Sequence, residues 1–371
     1  TVVANVRYSY CEYNQNPDSA FYSLGFSNVG TGKGNYILSK SSANGRVFEW
    51  IAPVDGIPQG IYEPVTQLIA PKKQQMITVG SSRKYKNSSL FIESAFSRKN
   101  KNLFSNKHKK DDQGFAIKTV LKNKRTNKNR NSNRLKTFST ELSYQIINKN
   151  FRSIERFRPV EFNRDFNLTS SNPQNTEQII GFKWNKSFLK KRVSGLDLSY
   201  IQRQNEYYGF KSALDINSNL GNSGILTGKA SYLQSEGSAQ GSRFIRHLIT
   251  YIHKFNNGIS FKLWEEEEHN LVNNISLDTL MSNSFRYTVY GSEVNFKKTN
   301  TINICFSGNQ RIDYLPLKNE MNRVTTANNA GTKLTFENKK GTKFLWNSVF
   351  RKLSINNSHI INQEPENTFL N

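Results

Sequence analysis

The fold is decided by a pattern that is clearest in the stretch Ile180-Gly181-Phe182-Lys183-Trp184-Asn185. Apolar and polar side chains alternate in it, so an extended strand would carry one row of each on its two faces. The same alternation recurs from about residue 75 to about residue 355, as in Ile259-Ser260-Phe261-Lys262-Leu263 and Ile302-Asn303-Ile304-Cys305-Phe306. The runs have about 9–14 residues, whereas strands of soluble proteins usually have about 5–6. The pattern predicts an all-β protein with long antiparallel strands.

Short turns and longer polar connections separate these strands. Asn256-Asn257-Gly258 and Lys340-Gly341 suit tight hairpin turns, in which φ is positive. We predict long connections at 98–112, 150–176, 265–282 and 310–330. An even number of inferred strands lies between each pair of them, which places all four at one edge of the sheet. Transmembrane barrels have this asymmetry. We therefore predict an antiparallel transmembrane β-barrel of about fourteen or more strands with long loops on one side, against the alternative of a soluble sandwich or barrel.

The pattern divides the chain into four regions. We expect a barrel strand at 1–12, a turn-rich cap or plug-like segment at 13–74, the antiparallel barrel at 75–355, and a loop leading out of the chain at 356–371. Four of the nine prolines lie between residues 53 and 71, which favours turns there. Neither end resembles a natural terminus, so we expect the chain to be a fragment of a longer protein.

The charge balance is strongly basic, with a net charge of +24. The basic stretch from Arg98 to Arg134 would suit phosphate contacts, but it flanks a predicted strand and contains no recognition helix. We interpret it as a solvated face or loop and expect no nucleic-acid partner. Two cysteines, Cys11 and Cys305, exclude a disulfide scaffold and are predicted to be unpaired.

Several motifs suggest chemistry but lack the spacing that it needs. Gly30-Thr31-Gly32-Lys33-Gly34 has neither the phosphate-loop nor the dinucleotide spacing, and no predicted helix follows it. The run Glu265-Glu266-Glu267-Glu268-His269 lacks the calcium-loop spacing, so we interpret it as the solvated start of a loop. His247 and His253 share a strand face, but six residues of strand hold them about 20 Å apart. We predict no catalytic, cofactor-binding or metal-ligating residues and no enzymatic activity.

The segment Ile154–Leu168 differs from its surroundings because charges of both signs interleave with aromatic residues. Five of its charged residues are predicted to form an ion-pair network that orders a long loop. They are Glu155, Arg158, Glu161, Arg164 and Asp165. A recognition surface is the functional alternative for the same residues.

Some of these segments resemble a known family. The run from Glu155 to Phe166, the run from Gly30 to Tyr36 and the run from Ala52 to Gly60 are similar to segments of a family of large, mostly uncharacterised outer-membrane β-barrel proteins of Gram-negative bacteria. The resemblance implies a location in the cell outer membrane and a longer full protein. It implies no reaction.

These observations predict an outer-membrane β-barrel that acts as a channel, transport component or surface scaffold. Its expected partners are outer-membrane lipid and lipopolysaccharide, and other envelope proteins. No cofactor is expected. The alternative is a soluble, secreted β-rich module that binds anionic polymers.

Overall fold

The computed structural model describes residues 2–3, 6–40, 45–66, 70–105, 109–128, 135–168, 175–188, 191–297, 302–337, 342–356 and 367–370. The chain divides into two compact units. The first comprises Thr1–Lys72 with Lys101–Asn106, and the second comprises Lys73–Asn100 with Lys107–Asn371. No helix in the described residues is long and apolar enough to cross a membrane.

The first unit contains short strands. They are β1 (Val2–Val3), β2 (Val6–Arg7), β3 (Ser27–Asn28), β4 (Tyr36–Leu38), β5 (Phe48–Trp50) and β6 (Tyr62–Glu63). Strands β1 and β2 pair with each other, and the other four form a sheet in the order β3-β6-β4-β5. The region expected to supply a barrel strand at 1–12 therefore forms its own two-stranded sheet. In the glycine-rich segment, Gly34 bridges to Gly60, where a Cβ atom on Gly34 would lie 2.4 Å from a backbone oxygen. The close backbone approach explains this glycine.

The second unit is one antiparallel sheet. Its strands are β7 (Lys73–Lys84), β8 (Ser88–Asn100), β9 (Gln113–Lys128), β10 (Leu135–Ile147), β11 (Glu177–Phe188), β12 (Lys191–Arg203), β13 (Tyr207–Leu220), β14 (Gly224–Gly237), β15 (Gln240–Lys254), β16 (Ile259–Asn274), β17 (Thr279–Leu280), β18 (Phe285–Lys297), β19 (Ile302–Leu317), β20 (Glu320–Glu337), β21 (Lys343–Ile355) and β22 (Asn367–Leu370). A 3₁₀ helix (Lys109–Asp112) and a short helix, α1 (Phe162–Asp165), lie in connections. Consecutive strands pair throughout, except that β17 is an appendage of β16, so β16 pairs onward with β18.

The all-β antiparallel fold class is confirmed. Leaving out the appendage β17, fourteen strands lie between Lys73 and Ile355, which is the number that the alternation predicts. The strand β22 adds a fifteenth, in the region expected to be a loop. Both cysteines are free thiols, as predicted.

The sheet has two chemically different faces. Residues paired directly across an antiparallel ladder point to the same face. Lys183 pairs with Asp197 and Glu141, while Phe182 pairs with Leu198. We call the face of Lys183 the inner face and the face of Phe182 the outer face. The register places five predicted apolar residues on the outer face, namely Phe182, Trp184, Phe210, Phe261 and Ile304, and four polar ones on the inner face, namely Lys183, Lys211, Lys262 and Asn303.

The outer face is apolar and open to solvent. Phe210 is 45 % exposed and Phe306 is 49 % exposed, and Leu263 is exposed as well. Burying such a side chain is normally worth about 1.5–3 kcal/mol, and a large exposed apolar surface is typical of a face that contacts a membrane or another protein.

The ladder has two free edges in the part of the chain that the structure describes. Strand β7 pairs only with β8, and all of its residues are exposed. Strand β22 pairs only with β21, through four residues. Since direction alternates along fifteen strands, β7 and β22 run the same way.

The connections follow the predicted parity, with one correction. The strand ends that flank the connections 101–112, 148–176 and 275–284 all lie at one edge of the sheet, which we call the long-connection edge. The opposite edge, which has the turns after β7, β13 and β15, is called the short-turn edge. The long connection predicted at 310–330 is wrong: β19 and β20 fill it, joined by a two-residue turn at Lys318 and Asn319, both with positive φ.

The acidic run was also misplaced by the sequence interpretation. Glu265–His269 lies within β16 and does not start a loop. Both errors have the same cause: a strand whose inner face is polar can also carry polar outer residues, so local polarity does not distinguish it from a loop.

Candidate functional site: a loop folded onto the inner face

The loop 148–168 leaves β10 and folds back onto the inner face of the sheet. It first passes over β9 at Gly114, where a Cβ atom would lie 2.1 Å from the backbone nitrogen of Phe151. The backbone nitrogen of Arg152 then donates a hydrogen bond of 2.9 Å to the hydroxyl of Ser97 on β8. Glycine and a small hydroxyl residue thus let the loop lie directly against the sheet.

An apolar contact anchors the far end of the loop. Phe166 is only 5 % exposed and packs in a cluster with three inner-face residues, Ile201, Leu233 and Phe244. Partly buried side chains surround this cluster, namely Phe162, Leu168, Ile179, Tyr207 and Phe285. The hydroxyl of Tyr207 donates a hydrogen bond to the carbonyl oxygen of Phe166. Burial of one such aromatic side chain contributes about 1.5–3 kcal/mol, so the loop is held by packing as well as by charge.

A buried ion triad fixes the middle of the loop. Glu177 on β11 is fully buried between two guanidinium groups, that of Arg158 from the loop and that of Arg203 from β12. The Nε atom of Arg203 lies 2.8 Å from Oε2 of Glu177, and the guanidinium of Arg158 stacks 4.3 Å above the ring of Phe162. Burial lowers the pKa of Arg158, although Glu177 opposes this shift. The buried carboxylate needs both cations, because a buried charge without a partner is costly.

Asp165, at the end of α1, forms a second set of ion pairs that holds the loop against the sheet. Lys211 on β13 and Arg246 on β15 each place a nitrogen 2.5 Å from one of its carboxylate oxygens. Burial alone would raise the pKa of Asp165, but the hydrogen bonds from these two cations outweigh it and hold the pKa below its ordinary value. One loop carboxylate thus joins two strands that are not neighbours.

Arg164 makes a third set of ion pairs. Its guanidinium lies 2.5 Å from a carboxylate oxygen of Glu268 on β16 and 3.3 Å from one of Glu161. The pKa of Arg164 is raised: burial alone would lower it, but the two carboxylates outweigh that effect. Asn167 extends the contact by hydrogen bonds to Ser242 and Asn270.

The predicted network residues are therefore placed as follows. Arg158, Arg164 and Asp165 pair with strands, Glu161 pairs within the loop, and Glu155 has no ion pair among the described residues. Sequence reasoning missed their partners on the sheet. These are Glu177, Arg203, Lys211, Arg246 and Glu268. The sequence did contain one signal for these partners, because the alternation assigns all five to the polar face of the sheet.

Open cavities lie beside the loop on the inner face. One of about 600 Å³ is lined by Thr78, Glu93 and Lys118 of the sheet and by loop residues from Ser153 to Pro159. Another, of about 710 Å³, lies toward β12–β16 and includes Asp197 and Lys229. Both have charged walls of mixed sign. In the described part of the chain, no three His, Cys, Asp or Glu side chains group as metal ligands. The arrangement suits passage of polar solutes past a fixed loop.

Comparison with known proteins gives a limited result. No family model matches the chain, and no curated protein matches it. Among solved structures, OccK9 (OpdG) of Pseudomonas aeruginosa has a TM-score of 0.34 at 10 % identity, over 86 % of this chain and 90 % of that one. A BenF-like porin from Pseudomonas fluorescens Pf-5 has a TM-score of 0.34 at 11 % identity, over 81 % and 90 %. The outer membrane protein opdK from Pseudomonas aeruginosa has a TM-score of 0.32 at 9 % identity, over 76 % and 88 %. Likenesses this weak assign neither a family nor a function to this chain.

Proposed function

We propose that this chain forms the wall of an outer-membrane β-barrel channel, with loop 148–168 narrowing its lumen. The single observation that carries the proposal is the reversed polarity of the sheet. The face that receives the loop is polar and charged, while the opposite face exposes large apolar side chains along strands of 12–18 residues. A soluble sheet buries its apolar face. A transmembrane barrel turns it toward lipid and keeps a polar interior.

Closure of the sheet is a requirement of this proposal. Each unpaired backbone group in lipid costs several kcal/mol, so a membrane-spanning sheet cannot keep the free edges of β7 and β22. Because these two strands run the same way, a fully antiparallel closure needs an odd number of additional strands between them. The smallest such barrel has sixteen strands.

The loop is proposed to narrow the channel without closing it. Its ion pairs and the Phe166 anchor fix it against the inner face, while cavities remain beside it. The role is one of passage and not of catalysis. Outer-membrane lipid and lipopolysaccharide surround the outer face, and other envelope proteins are further candidate partners.

The test begins with the protein extracted from its native membranes. We expect it in the outer-membrane fraction, soluble only with detergent, and migrating differently on a gel before and after heating. In planar lipid bilayers it should produce discrete conductance steps in KCl. A protein that is soluble without detergent, binds an anionic polymer such as heparin and gives no conductance would contradict the channel and support the secreted binding module, which the net charge of +24 also fits.

A further inference from the structure

Charges on the inner face are segregated along the strands. Near the short-turn edge the inner-facing charged residues are mainly lysines, namely Lys84, Lys122, Lys124, Lys254, Lys262, Lys297, Lys333 and Lys343. Lys183 and Lys229 belong to the same zone, and five carboxylates share it, namely Glu141, Asp197, Asp215, Glu293 and Glu337. Beneath the loop, by contrast, the cations are nearly balanced: five of them, Arg158, Arg164, Arg203, Lys211 and Arg246, pair with four carboxylates, Glu161, Asp165, Glu177 and Glu268. The excess positive charge of the inner face therefore lies near the short-turn edge.

Part of this charge, carried by Lys84, Lys122 and Lys124, lines one cavity. A space of about 740 Å³ lies beside the turn between β7 and β8, and Lys84, Lys86 and Lys124 contribute to its lining. Arg125 also borders it, but by register its side chain points to the outer face. Lys122 lines it too, but its Nζ atom lies 3.0 Å from the carboxylate of Glu141, the cavity's one acidic residue. Lys84, Lys86 and Lys124 have no carboxylate partner among the described residues.

The geometry also supplies neutral hydrogen-bond donors. The cavity wall includes the inner-facing hydroxyls of Ser89, Thr126 and Ser139, whereas Ser88 and Asn123, joined by a hydrogen bond of 3.3 Å, face outward by register. The backbone nitrogen of Lys124 donates to the carbonyl oxygen of Asn87, which ties the turn to β9. Cationic and hydroxyl donors on tied strands suit oxyanions, because charge-assisted hydrogen bonds to anions are the stronger ones.

We propose that this lysine cavity is an anion subsite at the short-turn mouth of the channel, and that it makes the channel prefer small anions such as phosphate or carboxylates to cations. The inference rests on the proposed channel function. A mouth lined by charge of one sign raises the local concentration of the opposite ion, and the effect falls as salt screens it over about 10 Å at 0.1 M. Because the charges that hold the loop are nearly balanced, the unpaired lysines of this mouth are the groups that discriminate between anions and cations.

The test is the reversal potential of the reconstituted channel under a KCl gradient. Wild-type protein should show the sign of anion preference, and the preference should weaken as total salt rises. The double variant Lys84→Glu with Lys124→Glu should move the reversal potential toward cation preference. Inorganic phosphate should reduce the wild-type chloride current more than that of the variant.

The matched control carries the same charge change on the opposite face. Lys136 on β10 and Lys186 on β11 lie near the same edge but on the outer face by register. The pair Lys136→Glu with Lys186→Glu should leave the reversal potential unchanged. If the glutamate variants fail to fold, Lys84→Gln with Lys124→Gln should give a smaller shift in the same direction.

The outcomes separate this inference from the proposed function. A wild-type protein that gives no conductance overturns the channel itself. A conducting wild-type protein without anion preference, or a control pair that shifts the potential as much as the cavity pair, overturns the anion subsite alone.

Discussion

Replacement of Asp165 by asparagine should release the end of the inner-face loop. The variant keeps the size of the side chain but leaves Lys211 and Arg246 facing each other without their shared carboxylate. The side chains of the three residues are 27 %, 16 % and 21 % exposed, so the site is neither a surface pair nor a fully buried one. Surface pairs contribute about 0.2–1 kcal/mol, and breaking a buried pair costs about 3–5 kcal/mol. We therefore expect the free energy of loop opening to fall by about 2 kcal/mol.

The assay is hydrogen exchange at the amide of Leu168, which donates to the carbonyl oxygen of Asn163 in the closed loop. A loss of about 2 kcal/mol corresponds to about 30-fold faster exchange, at 1.4 kcal/mol for each factor of ten. Amides in the strands should not change, because the opening is local.

Glu161→Gln provides the matched control in the same loop. It removes the same charge, but the Glu161 side chain is 56 % exposed and its pair with Arg164 is a surface pair at 3.3 Å. Exchange at Leu168 should change by less than about threefold, as expected for a loss below about 0.6 kcal/mol. Equal acceleration in the two variants would refute the inference that Asp165 fastens the loop through its two cations.

Three further results are expected. Phe182→Arg on the outer face, at the middle of β11, should destabilise the protein in lipid by about 2–4 kcal/mol, whereas Lys183→Arg on the inner face should be nearly silent. Equal effects of the two substitutions on urea unfolding in vesicles would show that the faces are assigned wrongly. Gly114→Ala should displace the loop, since a Cβ atom would lie 2.1 Å from the backbone nitrogen of Phe151. Gly228→Ala should be tolerated, because a Cβ atom there would have no atom within 4 Å. Hydrogen exchange at the loop amides compares the two variants. Acid should loosen the loop: because the folded pKa of Asp165 lies below the unfolded value of about 3.9, its stabilisation is complete above that value and is lost as the pH falls through the folded pKa. Channel recordings should become unstable only below about pH 4, and Asp165→Asn should abolish that transition.

The alternation determined the strands and their faces from the sequence alone. Side-chain direction repeats every two residues in an extended chain, so the sequence already separates Phe182 from Lys183 and Phe261 from Lys262. The same local rule fails at 310–330 and at Glu265–His269, where polar residues occupy both faces of a strand. Turn positions were predictable where residues with positive φ were obvious, as at Gly258, and not at Lys318.

Only the tertiary structure decided what the charged loop binds. The sequence marks Arg158 and Asp165 as unusual, but Asp165 meets Lys211 and Arg246 across 46 and 81 residues of chain. Strand register and the path of the loop bring such residues together, and neither is a local property of the chain. The free edges of β7 and β22 are likewise a property of the assembled ladder. Local periodicity fixes which way a side chain points, whereas long-range pairing fixes what it meets.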